Sequence, residues 1–167
     1  MLRLIPALCT VSLVAAPVVA ADSITAPLTG ASGSVTLTAA PKGVLVHIEA
    51  SGLTPGWHAV HFHEKATCGD PGFKASGSHV HGASALVHGL LNPAASDDGD
   101  LPNIFAGADG KANAELFTTL VSLHPGGPAP ALLDADGSAL VIHANKDDYQ
   151  TQPIGGAGDR IACAVLK

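Results

Sequence analysis

Two histidines, His61 and His63, stand two residues apart inside the string Gly56-Trp57-His58-Ala59-Val60-His61-Phe62-His63-Glu64. In an extended segment, side chains at i and i+2 leave the same face, so both rings can hold one ion. Further along, His79, His81, His88, Asp97, Asp100 and His143 add candidates of the same kind. Imidazole suits copper and zinc, and a carboxylate in a mixed site suits zinc better than copper(I). These eight candidates exceed the needs of one four-coordinate ion, which makes two adjacent ions the economical reading.

The elements that must position these residues are short and strand-like, punctuated by Gly, Pro, Asn and Asp. Val35 and Leu37 alternate with polar residues over 34–40, Pro41-Lys42-Gly43 turns the chain, and Val44, Val46 and Ile48 share a face over 44–50. This pattern predicts a β-hairpin. Further strands are expected over 57–63, 112–118, 139–143 and 161–166, with Asp109-Gly110 and Asp136-Gly137 supplying turns. No segment shows a helical period of useful length. The chain therefore reads as all-β, an antiparallel Greek-key barrel or sandwich. Residues 64–103 form a long stretch rich in Gly, Ser, His and Asp that holds most of the candidate ligands, and a loop of that length is commonly functional.

Residues 1–21 read as an export signal: Arg3 is the only charge, an apolar run follows, and small residues gather at Ala20 and Ala21. Pro6, Thr10, Ser12 and Pro17 interrupt that run and argue against a membrane anchor. The mature chain is then a single domain over 22–167, exported and periplasmic or otherwise outside the cytoplasm, with no membrane contact. It carries seven basic against fourteen acidic residues, which disfavours nucleic acid as a partner. With Cys9 removed, Cys68 and Cys163 remain. An exported protein most simply pairs them, two free thiols being the alternative. The loop-entropy account gives such a bridge about 4–5 kcal/mol.

The order of these residues resembles the copper/zinc superoxide dismutases, in particular the exported bacterial branch. The resemblance rests on Gly56 to Glu64, Ser78-His79, His88-Gly89, Gly99-Asp100-Leu101-Pro102-Asn103, Val141-Ile142-His143 with Asp147, and Gly158-Asp159-Arg160-Ile161-Ala162-Cys163. It implies copper held by His61, His63, His79 and His143, with His79 bridging to zinc, and zinc held by His88 and Asp100 as well. Asp147 resembles the carboxylate that links the two sites through ligand imidazoles, and Cys68 and Cys163 match the family's intrachain disulfide. Arg160 resembles the arginine that guides the anion beside copper. The implied reaction converts superoxide to dioxygen and hydrogen peroxide by copper redox cycling, with His79 taking and delivering a proton.

One position departs from the pattern: where the family's zinc site has a further histidine, this chain has Asp97, and His81 lies nearby. Spacing favours Asp97 and histidine chemistry favours His81, with a three-residue site as the third option. Asp97 and Asp98 also fit a solvated acidic turn, Asp100 a turn cap, and Arg160 a surface ion pair. His47 and His124 read as solvated, and His58 as a packed structural histidine. Lys65, Lys74 and Lys146 lie close enough in sequence to assist anion guidance. A copper-buffering protein of the same fold and a copper-only dismutase are the competing functions. Bacterial members of the family vary in oligomeric state, which leaves a possible homodimer.

Overall fold

The computed structural model describes residues 22–82 and 85–167, so the expected export signal lies outside the described residues. The hairpin forms as the alternation requires. β1 (Ser23–Thr29) pairs with β2 (Ser32–Ala40), which pairs with β3 (Gly43–Ser51) across the two-residue turn Pro41-Lys42. Val35, Leu37, Val44, Val46 and Ile48 are fully buried, each worth about 1.5–3 kcal/mol relative to exposure. β1 is a strand that the sequence pattern did not reveal. Its inward residues are the modest Ala26 and Leu28, and between them sits Pro27, which has no N–H for the ladder.

The string around His61 forms β4 (Gly56–His58) and β5 (Val60–His63), interrupted at Ala59. β4 pairs with β6 (Ile104–Ala106), a three-residue strand too short to show a period, and β6 lies against β7 (Lys111–Thr118). β5 pairs with β8 (Ser138–His143), and β8 with β9 (Arg160–Leu166). The large sheet runs β5-β8-β9-β1-β2-β3-β7, antiparallel at every ladder. Because β4 and β5 are nearly continuous, the β4–β6 pair stands between the two ends of this sheet and the whole curls into a barrel. Non-sequential neighbours such as β3–β7 and β1–β9 give the Greek-key order expected. Phe62, Leu101, Ile104, Leu132, Leu140, Ile142 and Leu166 fill the interior.

Two features carry the site. The long connection from β5 to β6 runs back along β5, with antiparallel bridges His61↔Asp100 and His63↔His79. Gly99 permits this approach, since a Cβ there would collide with the Phe62 carbonyl oxygen. This connection also holds a short 3-10 turn, η1 (Pro71–Ser76), capped by Asp70. The second feature is a bulge between β8 and β9, where Ile142 pairs with Ala162 but His143 pairs with Arg160. The extra residue re-aims the strand end and sets Arg160 opposite His143. The disulfide Cys68–Cys163, spanning 95 positions, fastens the loop to β9.

Candidate metal centre

His61 and His63 project from β5, His143 from the end of β8, and His79 from the returning loop, and all four are buried. One donor atom from each lies within 4.8 Å of the other three. The outward ring nitrogens are occupied by acceptors. His63 Nδ1 donates to the Gly77 carbonyl at 3.0 Å, His143 Nδ1 to the Gly158 carbonyl at 3.2 Å, and His61 Nε2 to Asp147 Oδ2 at 3.0 Å. A carbonyl or carboxylate oxygen can only accept, so each of these nitrogens carries the proton and the opposite nitrogen holds a lone pair. Those opposite atoms, His61 Nδ1, His63 Nε2 and His143 Nε2, together with His79 Nε2, are buried with no hydrogen-bond partner. Three converging lone pairs beside the unpartnered His79 Nε2 in a buried gap are costly unless an electrophile receives them. Burial is the main reason the His61, His63 and His143 rings stay neutral. It holds His63 at about 2 and His143 at about 3, and nearby His79 and Arg160 push His63 the same way. His61 is lowered too, again chiefly by burial.

The other nitrogen of His79 faces a second set. His79 Nδ1 lies 2.6 Å from Asp97 Oδ2 and 3.7 Å from Asp100 Oδ1, while His88 Nδ1 lies 3.2 Å and 2.8 Å from the same two oxygens. The 2.8 Å contact lacks hydrogen-bond geometry, and Asp100 Oδ1 is left buried and unpartnered. These spacings bracket the ~3.3 Å edge of a tetrahedron with zinc-to-ligand bonds of about 2.0 Å. His61 Nε2 is also within 3.8 Å of Asp100 Oδ1, but it is already bonded to Asp147. His88 completes the link between the sets by donating from Nε2 to Asp147 Oδ1 at 3.0 Å. Asp147 therefore touches a ring from each set with its two oxygens.

The second set is an ion-pair cluster. Burial would lower His88, but Asp100, Asp147 and Asp97 outweigh it and push it up to about 11. His79 is raised against the effect of burial by the same aspartates, Asp100 and Asp97. Burial opposes ionisation of Asp97, Asp100 and Asp147, yet the imidazoles around them hold all three below the usual carboxylate range.

These directions fix the pH dependence of the metal-free protein. His63 and His143 take up protons more readily when unfolded, so their contribution is lost as pH falls from 6.5 toward 2–3. His88 contributes fully below 6.5 and loses that contribution as pH rises toward 11. The depressed aspartates subtract stability only below their ordinary 3.8. The metal-free protein is expected to show its highest thermal midpoint near pH 6.5, with decline on both sides in calorimetry from pH 4 to 10. A midpoint still rising at pH 9 would contradict these assignments.

Of the two residues in question beside the second set, Asp97 faces it and His81 does not. His81 folds back, donating from Nδ1 to the His79 carbonyl at 2.9 Å, and lines a separate cavity with Glu64, Lys65, Asp134 and Asp136. Lys65 lines that separate cavity, whereas Lys74 and Arg160 line another together. His58 is buried, with its ring nitrogens 2.7 Å from the carbonyls of His143 and Thr54, a structural role as expected. His124 pairs with Asp22 at the surface.

The first set opens onto a cleft of about 230 Å³ walled by Leu86, Pro153, Ile154 and Arg160. Arg160 Nη1 donates to the Phe73 carbonyl at 2.8 Å and to Ser76 Oγ at 3.0 Å, and Nη2 donates to the Gly77 carbonyl at 2.8 Å. This pins the guanidinium at the mouth. Three supporting residues escaped the sequence reading of the site. Asn103 brackets the Asp147 backbone, accepting from its N–H at 2.8 Å and donating to its carbonyl at 2.9 Å. Gly155 leaves room for the carboxylate, because a Cβ there would collide with Asp147 Oδ1. Gln152 binds the backbone of His88. Asn103 at least stood in a motif; the other two carried no signal.

Two buried donor sets sharing one histidine, at the rim of an antiparallel barrel and beneath a cleft with a fixed cation, define a binuclear metalloprotein. The family described as "Copper/zinc superoxide dismutase (SODC)" matches residues 31–166. A Cu-Zn superoxide dismutase of Caulobacter vibrioides is 65% identical over 136 residues, covering 81% of this chain and 78% of that one. A solved superoxide dismutase-like protein from Bacillus subtilis superposes with a TM-score of 0.78 at 35% identity, covering 86% of this chain and 97% of that one. The Cu/Zn superoxide dismutase from Brucella abortus gives a TM-score of 0.69 at 27% identity, covering 87% and 100%. The chain belongs to the copper/zinc superoxide dismutase family.

Proposed function

We propose that His61, His63, His79 and His143 hold copper and that His79, His88, Asp97 and Asp100 hold zinc, in an enzyme that converts superoxide to dioxygen and hydrogen peroxide. The observation that carries this reading is the set of four unpartnered imidazole nitrogens beside a second, carboxylate-rich set that shares His79. Copper supplies a one-electron redox couple, whereas zinc is redox-silent and holds and tunes its ligands. Each turnover of two superoxide anions consumes two protons. His79 lines the cleft, and its unpartnered Nε2 is the atom available to hold one of them. Asp147 keeps the copper-side and zinc-side rings in fixed tautomers. Superoxide consumption by protein loaded with both metals, set against the metal-free protein and free copper, tests the reading. Activity no greater than free copper would leave a copper-binding protein instead.

Arg160 gives the anion its direction. The adjoining wall of Leu86, Pro153 and Ile154 is apolar, so the guanidinium field acts within about a Debye length, ~8–10 Å, despite the acidic total charge. Arg160→Ala is expected to lower kcat/KM at least about tenfold and flatten its salt dependence, with copper content unchanged. Unchanged kinetics across ionic strengths would remove the steering role.

The carboxylate in place of a histidine is the chain's own variation. Asp97→Ala is expected to weaken zinc binding by more than the ~10–100-fold typical of a supporting residue, while His81→Ala leaves it unchanged. Competition with a zinc chelator measures both, and the reverse outcome would transfer the role to His81. The disulfide supports an oxidising compartment, consistent with export to the periplasm, removal of residues 1–21 and a mature domain over 22–167. N-terminal sequencing of the exported chain checks this.

A further inference from the structure

The segment over residues 144–159 forms one wall of the cleft through Pro153 and Ile154. Immediately before them, Gln152 reaches across to the zinc-side loop and engages both backbone polar groups of His88. Its Oε1 accepts from the His88 N–H at 3.0 Å, and its Nε2 donates to the His88 carbonyl at 2.8 Å. This is the exchange two paired strands make, performed here by a side chain. Among the described residues no other acceptor meets the His88 N–H, and the residue is fully buried, so loss of the amide would strand a polar group. Other hydrogen bonds between the two segments act elsewhere, among them those of Asn103 with the Asp147 backbone and with Tyr149 Oη. Asp147 reaches the His88 ring, and the Tyr149 carbonyl accepts from the Leu91 N–H at 3.1 Å. Among the described residues, the Gln152 contact is the hydrogen bond between the two segments that adjoins Pro153 and Ile154 in sequence.

We propose that Gln152 is a positioning residue that makes the shape of the substrate cleft depend on the zinc-side donor set, by transmitting the fixation of His88 to Pro153 and Ile154. The proposal rests on the reading of His88 as a zinc donor. When a metal holds the His88 ring, the backbone beneath it is fixed, and the two hydrogen bonds extend that fixation to the wall. Gln152 neither titrates nor binds metal, and its one further side-chain contact among the described residues, from Nε2 to the Gln150 carbonyl at 3.1 Å, lies within its own segment and does not respond to the zinc side.

The test uses full-length copper-loaded protein with and without zinc, as wild type, Gln152→Ala and Gln152→Glu. The glutamate keeps the acceptor but loses the donor. Hydrogen exchange is read at Gly155 and Ala157, whose N–H groups bond the carbonyls of Thr151 and Ile154. Azide binding to copper, followed optically, reports the cleft. In the wild type, zinc is expected to slow exchange about tenfold and to tighten azide measurably. In Gln152→Ala both responses should fall below about twofold while cobalt(II) absorption in the zinc position persists, with Gln152→Glu intermediate. Should the alanine variant take up no cobalt, the glutamate variant decides the comparison. Equal zinc responses in variant and wild type, or no response in the wild type, would overturn the proposal. His88→Ala separates the two levels. If it loses the cobalt spectrum, the donor reading stands whatever Gln152 does, and if it retains that spectrum, the donor reading and the proposal both fail.

Discussion

His143→Ala is expected to reduce superoxide dismutation to the level of free copper and to weaken copper binding by at least about a hundredfold, with zinc content preserved. His143 Nε2 is one of four buried nitrogens without a partner, and the other three cannot enclose the gap alone. The fold should survive, because the strand end is held by backbone groups the substitution keeps. The His143 N–H donates to the Ala59 carbonyl at 2.9 Å, and its own carbonyl accepts from the His58 ring at 2.7 Å. Copper competition titrations, zinc analysis and a superoxide assay on the same sample separate these effects. Retained turnover above free copper would place the redox centre elsewhere, and simultaneous loss of zinc would mean that the two halves are not separately built.

Asp147→Ala should do the reverse and damage both halves. One carboxylate oxygen accepts from His61 Nε2, and the other accepts from His88 Nε2 and from the Tyr149 N–H at 2.6 Å. Without it, both rings lose the acceptor that fixes tautomer and orientation, and each metal is expected to bind about 10–100-fold more weakly. Asp147→Asn should not rescue the pair. Its oxygen can accept from one ring, but its amide then presents N–H groups to the N–H of the other. Separate copper and zinc titrations measure this directly. Loss confined to one metal would contradict a linking role.

Much of the barrel was legible because its strands obey a period of two: Val35 and Leu37, then Val44, Val46 and Ile48, alternate and are buried as the pattern requires. The same period placed His61 and His63 on one face. The resemblance of the motifs, not the period, gathered His79, His88, Asp100 and His143, which the long loop and the β8 end bring together from distant positions. What stayed hidden depends on contacts the sequence does not index. The tautomers of His63 and His143 are set by the carbonyls of Gly77 and Gly158, backbone groups that any residue possesses. The proposal of Asp97 over His81 draws on the His81 ring folding back onto the carbonyl two residues earlier, a contact no motif signals. β1 was concealed by Pro27, and β6 by its length of three residues.

His79 is proposed to span both donor sets, Nε2 toward the copper donors and Nδ1 toward the zinc donors. The most direct test places cobalt(II) in the zinc position beside copper(II) and records the copper electron paramagnetic resonance signal. A shared imidazolate couples the two spins, so the signal seen with copper alone should largely disappear when cobalt is added at one per chain. An undiminished copper signal from protein carrying both ions in full would show that His79 does not join them.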